Sequence, residues 1–442
     1  MKHYLLVGSG VAALSAAEAI RQADPQGEIT MLSNDPFGYY SRPGLAYYLT
    51  GELSESSLFP YCAEDFQRLG IRFVRGQVQE VDPAQKTVAL QSGHKLRYDA
   101  LLLATGSQAI PLSLPGTNLR GVHKLDHLED ARAILASAKR ARHAVVTGGG
   151  VTALELVEGL RARGLQVSFV FRNERYWPNV LDPTESRIVE AALAQEGVEI
   201  YRKTSLVEIL ANGDRVAAVR LADGRTLKAD LLAYAIGIAP RIDLAQQAGI
   251  RCGRGILVDE FMRTNLPDIY AAGDVAEVYD PKVGKYVIDS LWHPARQQGW
   301  VAGWNMANHQ IPYRRNLPYN VTRLAGLTTT IIGTVGRGDD ADLISIARGD
   351  SQTWRELSDV IVAQNEFEVN RIRLMLGNNR IVGAVVMGDQ TLSSAIQSLI
   401  LHAVDITPVQ DRLLSPHASI AEVLGEFWRK IQTELESGNV AR

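Results

Sequence analysis

Two short glycine turns carry the clearest chemistry in this 442-residue chain. In the first, Gly8-Ser9-Gly10-Val11-Ala12-Ala13, the residues Gly8, Gly10 and Ala13 take the spacing G-x-G-x-x-G/A between an apolar run and a helix-forming one. Gly8 permits a tight turn and Gly10 lets backbone come against a pyrophosphate. Ala13 keeps the helix close to a sheet, so the phosphates meet the positive end of that helix. The second turn, Gly148-Gly149-Gly150-Val151-Thr152-Ala153, repeats the spacing at Gly148, Gly150 and Ala153. Two such turns imply two bound dinucleotides.

The residues that would read each ribose lie after the next strand. At the first site Ser33-Asn34-Asp35 offers Asp35 for the ribose hydroxyls, with an Asx turn before Pro36 as the alternative. At the second, Phe171 stands where an acid would select NADH, and Arg172 and Arg175 suit a 2′-phosphate. That favours NADPH over NADH. A solvated loop whose arginines are offset by Glu174 is the alternative.

The elements that position these turns follow from the hydrophobic pattern. Residues 4–7 form a short apolar run suited to a buried parallel strand, 11–22 a helix and 29–32 a second strand, which completes a βαβ unit. The same grammar returns with a strand at 144–147, a helix at 151–163 and a strand at 166–171. Short strands at 72–74, 87–90 and 100–103 lie between the copies, and a parallel set after the second copy ends at 231–235. Beyond about Tyr313, strand-like segments at 328–332, 369–376 and 381–387 precede helices near 391–403 and 420–434. The expected fold class is α/β: two Rossmann-like dinucleotide-binding domains plus a C-terminal α+β domain.

Composition narrows the function. Lys+Arg 46 against Asp+Glu 49 gives a net charge of -3, which offers no broad attraction to nucleic acid. No run of about 18 apolar residues occurs and no basic leader precedes the first strand, so no membrane span and a cytoplasmic location are expected. The two cysteines, Cys62 and Cys252, are far apart and form no CxxC or CxxxxC pair, which excludes a disulfide scaffold and a cysteine-rich metal site. His123 and His293 lack sequence partners for proton transfer. Asp339 and Asp340 beside Gly336-Arg337-Gly338 read as a solvated turn, and Lys139 to His143 as the basic end of a helix.

Further motifs resemble the two-dinucleotide flavoprotein reductases, the pyridine nucleotide-disulfide oxidoreductase family, over roughly the first two thirds of the chain. Leu103-Ala104-Thr105-Gly106-Ser107 with Pro111 and Leu114-Pro115-Gly116 resembles the segment crossing from the FAD domain to the NAD(P) domain. Ala235-Ile236-Gly237-Ile238-Ala239-Pro240 resembles the return crossing, and Thr264 to Val275 the segment in which Gly273 and Asp274 meet the flavin, the Asp holding its ribityl chain. The stretch from Tyr39 to Leu45, with Arg42 and Pro43, is similar to the one beside FAD in ferredoxin and rubredoxin reductases and in the flavin part of assimilatory nitrite reductases. Tyr47 replaces a lysine there, so its ion pair with the helix glutamate matched by Glu155 cannot form. Val78 matches a backbone contact to adenine.

Two of these positions carry more than one reading. Glu155 is read as a nicotinamide-pocket residue or as a partly buried helix glutamate, and Trp292 as a flavin contact or as plain core.

The resemblance implies FAD at a site with Gly8, Gly10, Val11, Ala12, Ala13, Asp35, Arg42, Val78, Ala104, Thr105, Gly106, Gly273, Asp274 and Trp292. It implies NADPH or NADH at a site with Gly148, Gly150, Val151, Thr152, Ala153, Glu155, Arg172, Arg175 and Gly237. It places the FAD domain at 1–112 and 241–312, the NAD(P)H domain at 113–240 and an interface domain for a homodimer at 313–442. Hydride would pass from NAD(P)H to flavin N5, with no catalytic side chain, no metal and no redox disulfide. The acceptor would be a small redox protein of ferredoxin or rubredoxin type, or a small molecule. An NAD(P)H oxidase or quinone reductase, and an FAD-binding subunit of a larger redox assembly, are the alternatives.

Overall fold

The computed structural model describes residues 1–281, 284–335, 344–349, 371–415 and 417–436. The Asp339-Asp340 turn lies outside them. The chain divides into two compact units. The first comprises Met1–Ser113, His123–Arg140 and Ala235–Asn316, and the second Leu114–Val122, Ala141–Tyr234 and Leu317–Arg442.

The first unit is built on a five-stranded parallel sheet. Its strands run in the order Ile269–Ala271, Ala100–Leu103, His3–Val7, Glu28–Ser33, Ile71–Arg75. Leu5, Leu6, Leu101 and Leu102 are fully buried, which is why these segments read as continuous apolar runs with no alternation. The helix Val11–Ala23 follows the first strand, and a second long helix, Trp292–Met306, packs along it. The contact between them is backbone-close: a Cβ on Gly299 would run into the Ala12 carbonyl oxygen, and one on Gly303 into that of Ala16. Small antiparallel sheets, including Val78–Asp82, Thr87–Leu90 and Lys95–Arg97, complete the unit.

The second unit repeats the βαβ plan. Parallel strands run in the order Glu199–Tyr201, Gln166–Val170, His143–Thr147, Leu231–Tyr234, with the helix Val151–Ala162 after the glycine turn. Within the parallel set expected after the second copy, Glu199–Tyr201 and Leu231–Tyr234 are parallel, but the strands Leu206–Asn212 and Arg215–Leu221 form an antiparallel hairpin. The reason is local. Gly213, at φ +63°, opens the two-residue loop Gly213-Asp214 between the paired Asn212 and Arg215, a Gly-Asp signal for a tight hairpin.

The C-terminal part of this unit is a five-stranded antiparallel sheet followed by the helices Ser393–Leu401, Thr407–Leu414 and Ile420–Glu436, the α+β arrangement expected. No helix among the described residues is long and apolar enough to cross a membrane.

Within the second unit a buried charge cluster joins the helix Pro183–Gln195 to the strand Arg371–Gly377. Asp182 caps the helix by accepting from Glu185 N at 2.8 Å, and Glu185 Oε2 accepts from Asp182 N at 2.9 Å, a reciprocal capping box. Both carboxylates also receive arginines: Arg373 Nε donates to Glu185 Oε1 at 2.8 Å, and Arg371 Nη2 donates to Asp182 Oδ2 at 2.8 Å. Glu185 and Arg373 are 0% and 1% exposed, so each charge depends on the other.

Glu185→Gln therefore leaves Arg373 underpaired and should cost about 3 kcal/mol in denaturant unfolding, whereas Glu185→Leu with Arg373→Met should recover most of that loss. A loss below about 1 kcal/mol for the single variant would show that the cluster is not an interdependent ion pair.

Candidate functional site

The first glycine turn sits where the first strand ends. Gly8 adopts φ +124°, and a Cβ there would collide with the Ala104 carbonyl, so the turn and the Ala104-Thr105-Gly106 segment close on each other. Gly10 has open space where a side chain would be, and it caps the helix with no side-chain hydrogen bond. The first intrahelical bond is Leu14 N to Gly10 O at 3.1 Å. The N–H groups of Val11, Ala12 and Ala13 are thus free to face a phosphate. No acidic side chain stands in the first turn to oppose an anion.

Gly273 and Asp274 close the same cradle. Gly273, at φ +82°, lies against Ala12, and its N–H donates to the buried Gln298 Oε1 at 2.9 Å. Asp274 Oδ2 accepts from Ser107 Oγ at 2.7 Å. Burial pushes the Asp274 carboxyl above its ordinary range, while the Ser107 hydroxyl and the Arg42 charge oppose that shift. Ser107 and Gln298 were missed from sequence as site residues, because neither type marks a site until the fold brings it to Asp274 or Gly273.

The remaining expected residues of this unit are placed as follows. Arg42 lies beside the Tyr40 ring, 5.9 Å from its centroid, and near Gly106. Asp35 Oδ1 accepts from Phe37 N at 3.0 Å, an Asx turn, and its Oδ2 lies 3.9 Å from His127 Nδ1. Val78 opens its strand and accepts at its carbonyl from Gln77 Nε2 at 3.3 Å. Trp292 starts the second long helix 40% exposed, with the Arg296 guanidinium 5.8 Å from its ring, so it is not a core residue. Gly237, at φ +133°, accepts from Ile110 N at 3.0 Å and belongs to this unit. His123 Nε2 pairs with Ser137 Oγ at 2.8 Å, a satisfied structural histidine, and His293 is exposed.

The second unit carries the same device. Gly150 opens onto free space and caps the helix with no side-chain bond. Leu154 N bonds Gly150 O, which leaves Val151, Thr152 and Ala153 with free N–H groups. The Tyr176 hydroxyl donates to Gly150 O at 3.2 Å, and Tyr176 N donates to Glu190 Oε1 at 2.7 Å.

At the ribose end Glu174 is engaged by Lys203 Nζ at 2.6 Å. Arg172 is exposed with no hydrogen bond or ion pair among the described residues, and the Arg175 Nε is buried without a partner. Desolvation alone pushes the Glu155 carboxyl up to about 7. One turn on, desolvation pushes Glu158 to about 7 although it accepts from Gly326 N at 3.1 Å.

The two arrangements fit dinucleotides on grounds independent of any likeness, since each offers an uncapped helix N-terminus behind a side-chain-free turn. Cys62 is exposed, Cys252 is half-buried, and neither forms a disulfide. Among the described residues no His, Cys, Asp or Glu cluster could hold a metal ion.

Residues 2–299 match the family described as pyridine nucleotide-disulphide oxidoreductase. The nitrite reductase [NAD(P)H] of Bacillus subtilis (strain 168) is 28% identical over 409 residues, covering 92% of this chain but only 48% of the relative, so the chain spans about half of that protein's length. The rubredoxin-NAD(+) reductase of Pseudomonas putida is 31% identical over 312 residues, 70% of this chain and 80% of the relative. Among solved structures, the ferredoxin reductase for the CYP199A2 system from Rhodopseudomonas palustris superposes with a TM-score of 0.84 at 24% identity, over 97% of this chain and 100% of that one.

The two raised glutamates give a pH test. Between the ordinary 4.5 and about 7 the native protein keeps protons that the unfolded chain has lost, so stability falls as pH rises through that window. The double variant Glu155→Gln with Glu158→Gln should flatten the fall in melting temperature between pH 5 and 7.5. An unchanged profile would show that these carboxyls are not the proton-holding groups.

Proposed function

The chain belongs to the pyridine nucleotide-disulphide oxidoreductase family, and on that premise we propose that it is an FAD-dependent NAD(P)H oxidoreductase that hands electrons to an external acceptor without a redox-active disulfide. The observation that carries this reading is the pair of uncapped helix N-termini, one in each unit, each opened by a glycine turn. FAD held at the first turn would supply the redox chemistry, taking hydride from a nicotinamide and passing electrons on.

The protein's own part is binding and orientation. At the first turn the N–H groups of Val11, Ala12 and Ala13 would receive the diphosphate, and the Gly8 and Gly10 backbones would leave room for it. Ser107 holds one oxygen of Asp274 and leaves the other for a ribityl hydroxyl. Val78 and Trp292 are assigned to the adenine and the flavin ring by likeness to the family, and Asp35 to the ribose.

At the second turn Val151, Thr152 and Ala153 play the phosphate role. Glu155, neutral below about pH 7, adds no full negative charge to that helix.

The preference for NADPH is supported by Arg172 and Arg175, whose nearest carboxylate in sequence, Glu174, is spent on Lys203. A 2′-phosphate would supply the missing partner, with the fork of an arginine matched to its oxygens.

For the acceptor, a small redox protein is favoured. The segment Ser41-Arg42-Pro43-Gly44 beside the FAD turn contains no thiol, and the relative from Pseudomonas putida is named for rubredoxin.

Anaerobic stopped-flow reduction tests this reading. NADPH should bleach the visible flavin absorbance with a second-order rate constant about 10-fold above that of NADH, and Arg172→Ala with Arg175→Ala should erase the difference. Addition of oxidised rubredoxin or ferredoxin should then restore the colour. Fast reoxidation by dioxygen alone would move the protein to the oxidase reading, and no bleaching by either nucleotide would overturn the proposal.

A further inference from the structure

Arg241 carries no sequence signal, yet the first unit builds an elaborate mount for it. Its Nη2 donates to Asp126 Oδ2 at 3.1 Å and to His127 Nε2 at 3.1 Å, and its Nη1 to the Thr105 carbonyl at 3.4 Å. Its backbone is stitched to the same turn: Arg241 N donates to Gly106 O at 3.0 Å, and Arg241 O accepts from Thr105 Oγ1 at 3.1 Å. A guanidinium only donates, so His127 Nε2 must accept, and the ring hydrogen lies on Nδ1. Burial lowers the His127 pKa; the Asp126 carboxylate opposes that, the charges of Arg42, Arg241 and Lys124 add to it, and the net shift is downward, toward the neutral form that can accept.

Asp126 is shared, since Lys124 Nζ also lies 3.5 Å from the same oxygen. Arg42 makes no ion pair among the described residues, and it depresses the Arg241 pKa on top of the effect of burial. Arg42 is thus within electrostatic reach of Arg241, where the carboxylates of Asp126 and Asp35 act in the opposite sense.

The place of the pair matters. Arg241 is bonded to Thr105 and Gly106, Arg42 approaches Gly106, and the neighbouring Ala104 carbonyl closes on Gly8 in the phosphate turn. The Nε hydrogen and one Nη1 hydrogen of Arg241 have no partner among the described residues, and the side chain is 29% exposed.

We propose that Arg241, oriented by Asp126 and His127, is a binding residue for the diphosphate of FAD and acts together with Arg42. The unpaired guanidinium hydrogens, held at the Thr105-Gly106 segment whose neighbour Ala104 closes on Gly8, are what a diphosphate would take up. This rests on the FAD reading above, and the test separates the two.

Full-length chain stripped of flavin is titrated with FAD and with riboflavin, which lacks the diphosphate, and binding is read from flavin fluorescence. The wild type should bind FAD much more tightly than riboflavin. Arg241→Gln should weaken FAD binding about 10- to 100-fold and leave riboflavin binding unchanged, with Arg241→Lys intermediate and a shallower salt dependence for Arg241→Gln alone. Equal losses for FAD and riboflavin, or no loss, would overturn the proposal. Should Arg241→Gln lose its fold by circular dichroism, Arg241→Lys decides by the same FAD-to-riboflavin ratio. A wild type that binds neither flavin would instead overturn the FAD reading itself.

Discussion

The architecture of the first unit depends on how closely one helix is allowed to approach its neighbours. Val11–Ala23 is lined by alanines, and Gly299 and Gly303 of the helix Trp292–Met306 bring backbone directly against Ala12 and Ala16. Gly273 presses on Ala12 from a third direction, and Gly8 closes on Ala104. Any side chain at these four glycines would push the helix off the sheet or twist the turn. The seat of the helix in turn sets where its free N–H groups aim, and Gln298 ties Gly273 to the same seat. Asp274 and Ser107 inherit their positions from that contact.

The second unit reaches the same end by other means. Its glycine turn and uncapped helix repeat the first, but charge does much of the fastening. The capping box of Pro183–Gln195 doubles as the acceptor for Arg371 and Arg373, so one pair of carboxylates both starts a helix and holds a strand far away in sequence. Glu158 reaches Gly326 in the hairpin between Tyr319–Leu324 and Leu327–Gly333. Buried polar groups of this kind favour one arrangement because each is costly without its partner.

Much of this was legible in the sequence, for reasons that are local. The strands at Ala100–Leu103 and His143–Thr147, the helices after each glycine turn and the α+β tail all follow from short-range pattern and turn chemistry. The hairpin that starts with Leu206–Asn212 has a local turn signal too, in Gly213-Asp214, which the expectation of a parallel set after the second copy does not use. Ser107, Gln298 and Arg241 escaped notice for a different reason. Each acts on a residue distant in the chain, Asp274 being 167 positions from Ser107 and Asp126 115 from Arg241, and no spacing rule reaches that far. Asp35 shows the middle case: the Asx turn offered as its alternative is present, and its second oxygen still faces the histidine that orients Arg241.

If both glycine turns cradle phosphates, one chain holds two different dinucleotides at once. Native mass spectrometry of the purified protein measures that directly. The expected result is a chain carrying one FAD that takes up one further NADPH, with Gly150→Glu losing the second nucleotide and keeping the first. A wild-type chain saturated by a single dinucleotide, whichever is supplied, would contradict it.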